Sequence, residues 1–346
     1  IADRSMSDVD PVVRAKFKIS RSDKVVTAGS CFAQHIARHL SQSGFTYLVT
    51  ETSRPLMRHS ALKEYNYGTF SARYGNIYTS RQLLQLLKRA YSLFQPSEDV
   101  WLRQDGRVFD PFRPEIEPNG FSSVPDYLAN RRQHFAAVQH AIEQMDVFVF
   151  TLGLTETWVS KTDGAAYPLC PGVAAGEFDA DRYEFVNLGV DDVVTDMREA
   201  IAFVRERNPK VRIVLTVSPV PLIATAEDRS VLVSTTYSKA VLRVAAEIVS
   251  RDLDYVAYFP SYEVITGNHA RGSYFGPDLR DVTEAGVEHV MRLFMQHYAA
   301  KEAALVKEPV AQIDPQSEAF LAKMDHISKV VCEEESLDVK QNLSAG

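Results

Sequence analysis

Apolar and polar positions follow two alternating periods through most of the chain. Val25-Val26-Thr27-Ala28 is a strand-like run that meets Gly29-Ser30 and turns straight into a helical pattern, with Phe32, Ile36 and Leu40 on one face. That helix stops near Ser43-Gly44, and 45–50 reads as a second strand. Helical spacing returns over 80–94, where Leu83, Leu86, Leu87 and Tyr91 share a face. Asp126 is placed to cap a helix running to about 145. The continuous apolar run 146–152 then has the composition of a strand buried on both faces. A helix over 191–208 carries Val194, Met197, Ile201 and Val204 and is ended by Pro209. A second buried strand, 211–217, is cut off by Ser218-Pro219. A helix over 234–251, a short strand 256–259, a loop to 281 and a helix over 283–301 complete the pattern.

Strands alternating with helices of this length predict a parallel sheet covered on both faces, a three-layer α/β fold. Residues 1–22 are polar and read as an N-terminal arm, and 23–305 as one α/β domain. Two irregular insertions interrupt it, about 96–125 and 160–190, both rich in proline, glycine and aromatic residues. Residues 51–80 are loop-like but aromatic. The tail, 306–346, is polar and holds one apolar stretch (Phe320, Leu321, Met324, Ile327, Val330, Val331) that reads as a terminal helix. In parallel sheets the loops after the strands share one edge. Gly29-Ser30, Gly153-Leu154-Thr155-Glu156, Ser218-Pro219 and Pro260-Ser261 are therefore expected to converge on one crevice.

Composition narrows the function class. The 346 residues are 45% apolar and 24% charged, as in an ordinary soluble protein. A net charge of -7 with scattered Lys and Arg argues against nucleic acid as a partner. No apolar run approaches the roughly 20 residues of a membrane-spanning helix. Cys31, Cys170 and Cys332 lie far apart, which argues against a disulfide frame or a zinc site and makes a reducing, cytoplasmic location the expectation. The start lacks a signal-peptide core but is not Met, which leaves an upstream piece open. No metal or cofactor is called for. The first strand is not followed by a glycine-rich phosphate fingerprint, so a nucleotide-binding protein is the weakest of the α/β readings.

Ser30 is the leading chemical candidate. At a strand-to-helix elbow its hydroxyl is either a nucleophile, with helix N–H groups to stabilise developing charge, or a helix cap with no further role. Cys31 is expected to pack inward, and His35, about 140° further round the helix, does not reach that hydroxyl. His134, on the helix before the central strand, reads as packed or capping. Glu156 either contacts a sugar hydroxyl or orients a base, or else answers a helix dipole. Trp158, Trp101, Phe109 and Phe112 either stack on a sugar ring or form the insertions' own small core.

Gly29-Ser30-Cys31-Phe32-Ala33 resembles the GSCFA domain family, named for these five residues, with support from Thr216-Val217-Ser218-Pro219-Val220 and Tyr258-Phe259-Pro260-Ser261-Tyr262-Glu263. The family is similar to a branch of the SGNH (GDSL-like) hydrolases. The resemblance implies a flavodoxin-like, three-layer parallel sheet and a serine acyl-esterase or O-acyltransferase, acting on an acyl group, most often acetyl, on a carbohydrate or polyol. By that resemblance Ser30 is the nucleophile and its own N–H the first oxyanion donor. Gly75, followed by Asn76, supplies the second, and Thr155, in the Gly153 turn, stands where an Asn amide is usual. The resemblance places the orienting carboxylate at Asp278 and the general base at Asp281, which replaces the usual His; His269, in the loop just before Asp278, is the candidate to substitute as base. The alternative is a non-catalytic carbohydrate-binding or scaffolding protein that has lost that His. Oligomeric state is left open.

Overall fold

The computed structural model describes residues 4–53 and 58–300. In chain order the first elements are β1 (Lys24–Gly29), α1 (Phe32–Gln42), β2 (Thr46–Tyr47), α2 (His59–Glu64), α3 (Ser80–Ala90), β3 (Trp101–Leu102), β4 (Val108–Phe109) and α4 (Val124–Gln144). They are followed by β5 (Val147–Leu152), β6 (Glu156–Ser160), β7 (Ala166–Tyr167), β8 (Tyr183–Asn187), α5 (Val190–Arg207), β9 (Arg212–Val217), α6 (Val231–Asp252), β10 (Val256–Tyr258), α7 (Ser261–Thr266) and α8 (Glu284–Tyr298). Five strands make one parallel sheet in the order β10-β9-β5-β1-β2, so the expected α/β fold is present.

Strand periodicity sorts the core into two layers. Val26, Phe148, Phe150, Ile213 and Leu215 face α3, α4, α5 and α6. Val25, Val147, Val149 and Val214 face α1, α7 and α8, with Phe32, Ile36 and Leu40 of α1 packed on them. The continuous apolar run of β5 is thus explained: it is buried on both sides. Residues of the N-terminal arm join the second layer, where Ile19 is buried and bridges Ala299, while Met6, Val12 and Phe17 pack alongside.

Several local expectations change. The second strand shrinks to Thr46–Tyr47. Ser123, not Asp126, caps α4, its hydroxyl accepting the Asp126 N–H at 3.3 Å. The stretch expected to be irregular over 160–190 joins β6, β7 and β8 in an antiparallel sheet, and the 96–125 stretch contains the β3–β4 pair. Trp101, Phe109, Tyr167 and Tyr183 form a small core between them, while Trp158 packs edge-on against Phe178 and Phe185. The helix expected in the tail lies outside the described residues. No helix among the described residues is long and apolar enough to cross a membrane.

Candidate functional site

The end of β1 is pressed against β5. Gly29 pairs with Thr151 across the sheet, and the Ser30 N–H donates to the Thr151 carbonyl at 3.1 Å. α1 then begins with Cys31 in the capping position, and no side chain caps it. The capping role for Ser30 is therefore not used. Its Oγ is buried and has no hydrogen-bond partner among the described residues. A Cβ on Gly153 would lie 2.9 Å from the Ser30 Cβ, so a glycine at 153 is what leaves the serine room. A buried hydroxyl without a partner costs about 1–3 kcal/mol, which is not the arrangement expected of a serine kept for structure alone.

Residues 71–80 cover this elbow, irregular in backbone yet buried throughout. The Ile77 N–H donates to the Gly29 carbonyl at 2.8 Å, and the Tyr78 carbonyl accepts from Gly153 and Leu154 at 3.1 and 2.9 Å. Gly75 turns through a φ of 70°, and Asn76 Oδ1 accepts from Gln34 Nε2 at 3.1 Å. On the other side, buried Lys239 donates to the Gly153 carbonyl at 2.7 Å, and Ser238 accepts the Thr155 N–H at 3.1 Å. Gly29, Ser30, Gly75, Asn76, Gly153 and Thr155 thus lie in one neighbourhood. Ser218 and Ser261 sit at the adjacent strand ends: the Ser218 N–H donates to Leu152, and the Ser261 hydroxyl donates to the Val217 carbonyl at 3.1 Å.

Two expected oxyanion donors are already committed. The Ser30 N–H is held by Thr151, and the Thr155 hydroxyl donates to Asn187 Oδ1 at 2.7 Å. Glu156 begins a strand, so no helix dipole acts on it; its carboxylate accepts from Thr225 at 2.7 Å, and burial pushes its pKa up. Asp278 and Asp281 lie on an exposed turn, where Asp278 accepts the Arg280 and Asp281 N–H groups at 3.2 and 3.1 Å. His269 is half-buried with Nε2 unpartnered among the described residues. His35 is half-buried, and burial pulls it down to about 4. Among the described residues no imidazole bonds the Ser30 hydroxyl.

The family match spans residues 24–294, from β1 into α8. This chain belongs to the GSCFA family. One solved structure similar to this GSCFA chain is a carbohydrate esterase family 3 protein from Talaromyces cellulolyticus. It is 13% identical, with 62% of this chain and 87% of that chain covered and a TM-score of 0.26. No curated protein matches the sequence.

Beside the elbow this GSCFA chain carries a buried ionic cluster that the sequence pattern did not reveal. Arg73 is completely buried, with Glu117 Oε1 at 2.8 Å and Glu51 Oε1 at 3.9 Å. Arg113 pairs with Asp110 at 2.8 Å. His134 Nδ1 lies 2.7 Å from Glu51 Oε2, both side chains being 1% exposed. The signals available were Asp110 and Arg113 three residues apart in an aromatic stretch, and Arg73 between Ala72 and Tyr74. Burial, reinforced by the Arg113 charge, outweighs the Glu51 hydrogen bond and lowers His134 to about 4. Burial would raise Glu51, but the His134 hydrogen bond, the Arg113 charge and the Arg73 N–H together take it down to about 2.

Both groups are depressed relative to the unfolded chain, so unfolding takes up protons and stability is lost as pH falls. The His134 contribution is full above pH 6.5 and disappears towards pH 4; that of Glu51 disappears between 4.5 and about 2. The His134 depression corresponds to about 3 kcal/mol. Urea unfolding from pH 8 to 4 is expected to show this loss, with His35 adding to it. His134→Gln is expected to flatten the limb between pH 6.5 and 4; an unchanged slope would refute the assignment.

Proposed function

We propose that Ser30 is the nucleophile of an esterase-like hydrolase or acyltransferase that acts on an acyl group, acetyl in the first instance, esterified to a carbohydrate or polyol. The observation that supports it most is the unpartnered Ser30 hydroxyl at the carboxyl end of β1. Attack of Oγ on the acyl carbonyl carbon gives an acyl-serine and releases the alcohol; water or a second hydroxyl then takes the acyl group. With the Ser30 N–H and the Thr155 hydroxyl committed, the 75–76 segment is the proposed source of oxyanion donors. Glu156, half-buried at the β5–β6 turn, is proposed to contact a substrate hydroxyl.

A second reading is favoured by the Ser30 hydroxyl being buried with no imidazole bonded to it among the described residues: a carbohydrate-binding or scaffolding protein that keeps the elbow and performs no chemistry. A fluorophosphonate probe with mass-spectrometric site mapping separates the two. The enzyme reading expects labelling at Ser30, lost in Ser30→Ala, together with acetyl-ester hydrolysis that falls about a thousandfold or more in that variant. Folded wild-type protein that stays unlabelled supports the binding reading.

A further inference from the structure

α6 has the apolar period of a helix packed on a sheet, and Val241, Leu242, Ala245 and Val249 are buried in the core. Nearer its N-terminus the buried positions turn polar: Ser234, Ser238 and Lys239 are each 1% exposed or less. Burying Lys239 freezes a long side chain and strips its ammonium of water, costs that an apolar residue of the same length would not carry. Core packing alone does not call for a lysine there.

Its contact is with the turn that closes β5. Lys239 Nζ donates to the Gly153 carbonyl at 2.7 Å, and one residue earlier Ser238 Oγ accepts the Thr155 N–H at 3.1 Å. From the opposite side the Tyr78 carbonyl accepts the Gly153 and Leu154 N–H groups at 3.1 and 2.9 Å. The peptide between Gly153 and Leu154 is thus gripped at both ends of its dipole, the carbonyl by α6 and the N–H by residue 78. Gly153 is also the wall on which Ser30 rests, since a Cβ there would lie 2.9 Å from the Ser30 Cβ. Covalent geometry along that path puts Lys239 Nζ within about 10 Å of the Ser30 Cβ. At that range a buried charge acts on a developing anion with an effect on rate of roughly tenfold.

We propose that Lys239 is a positioning residue for Ser30. Through Gly153 it fixes the surface against which the Ser30 side chain stands, and its charge favours the negative charge that gathers on the attacked acyl group. Lys239 acts through Gly153 and exchanges no proton in the reaction. The proposal rests on the reading of Ser30 as a nucleophile. Ser238 holds the same turn without bringing a charge, so it separates the two parts of the role. Methionine is the informative replacement at 239, because it keeps an unbranched chain and removes both donor and charge.

The test is the time course of fluorophosphonate labelling of the full chain at several probe concentrations. It yields the final extent at Ser30, the half-saturating concentration and the maximal rate. Extent follows the folded fraction, whereas maximal rate follows the placement of Oγ and the field on it. Lys239→Met is expected to label fully once corrected for the folded fraction and to half-saturate within about twofold of the wild type. Its maximal rate is expected to be about 10- to 100-fold lower. Ser238→Ala is expected to lose only about threefold in that rate. Should Lys239→Met not fold, Lys239→Gln takes its place, keeping a donor but no charge, with a rate about tenfold lower. A maximal rate within about twofold of the wild type in the folded variant, or a loss confined to extent, overturns the proposal. So does an equal loss in Ser238→Ala, which would leave the charge without a part. Folded wild type that stays unlabelled at Ser30 overturns the nucleophile reading and this proposal together; wild-type labelling with undiminished variant rates overturns this proposal alone.

Discussion

Arg73→Met is expected to lower the stability of this chain by about 4 kcal/mol or more, enough to leave little folded protein in a domain of ordinary stability. The guanidinium is wholly buried and fully used. Nε donates to the Tyr65 carbonyl at 2.8 Å, Nη2 to the Ile116 carbonyl at 2.9 Å and to Glu117 at 2.8 Å, and Nη1 to the Tyr67 hydroxyl at 3.2 Å. The Tyr67 ring lies 4.1 Å from the guanidinium carbon. Methionine fills the space but donates nothing, so two buried carbonyls lose their donor, Glu117 loses its ion pair at 2.8 Å, and Glu51 loses the guanidinium charge at 3.9 Å while keeping His134 and the backbone N–H of residue 73. Each unsatisfied neutral group costs about 1–3 kcal/mol, and breaking a buried ion pair about 3–5 kcal/mol. Arg73→Lys is not expected to restore the loss, because one ammonium cannot reach partners spread around a planar fork. Urea unfolding measures this; a loss under about 1 kcal/mol would show that the cluster does not hold the segment. Damage should also reach the elbow, since residues 71–80 are tied at one end to Arg73 and at the other to Gly29 and Gly153.

The same cluster marks the limit of what the chain discloses before it is folded. The elbow, the buried strands and the long helices were legible because period and composition are local properties: β5 is a six-residue apolar run, and α1 repeats Phe32, Ile36 and Leu40. Residues 71–80 were not, because a polar, irregular stretch reads as surface. What lets it be buried is a set of partners far off in the sequence, with Glu51, Glu117 and Arg113 supplying bonds to Arg73. His134 reads as packed from the sequence, but its pairing does not show there for the same reason: its partner Glu51 is 83 residues away. The strands β6 to β8 were missed because their faces mix polar and apolar residues in a sheet that covers aromatic side chains from another insertion. For the site, the position of Ser30 and its closeness to Gly153 were legible from strand-end convergence. A base was not, because the carboxylates at 278 and 281 occupy an exposed turn, and turn exposure is decided by how the loop packs.

Gly29→Ala adds a single methyl group, and its expected effect is nonetheless a loss of about 3–5 kcal/mol. Gly29 has a φ of 132°, in the region that disfavours any side chain, and an added Cβ would stand 2.2 Å from the Thr151 carbonyl oxygen and 2.7 Å from its nitrogen. Both atoms belong to the backbone of β5, which is hydrogen-bonded on both edges by β1 and β9 and cannot give way locally. Gly164→Ala is the control: its φ is 71°, but nothing lies within 4 Å of the new Cβ, so it carries conformational strain of about 1 kcal/mol without the clash. The difference between the two variants in urea unfolding isolates the cost of the close approach. If Gly29→Ala loses no more than Gly164→Ala, β1 and β5 are not in the contact described. That contact also has a chemical consequence. It delivers the Ser30 N–H to Thr151 and turns the serine side chain towards Gly153. Any folded fraction of Gly29→Ala should therefore present a displaced Ser30 and react more slowly with a fluorophosphonate than the wild type, even after correction for the amount folded.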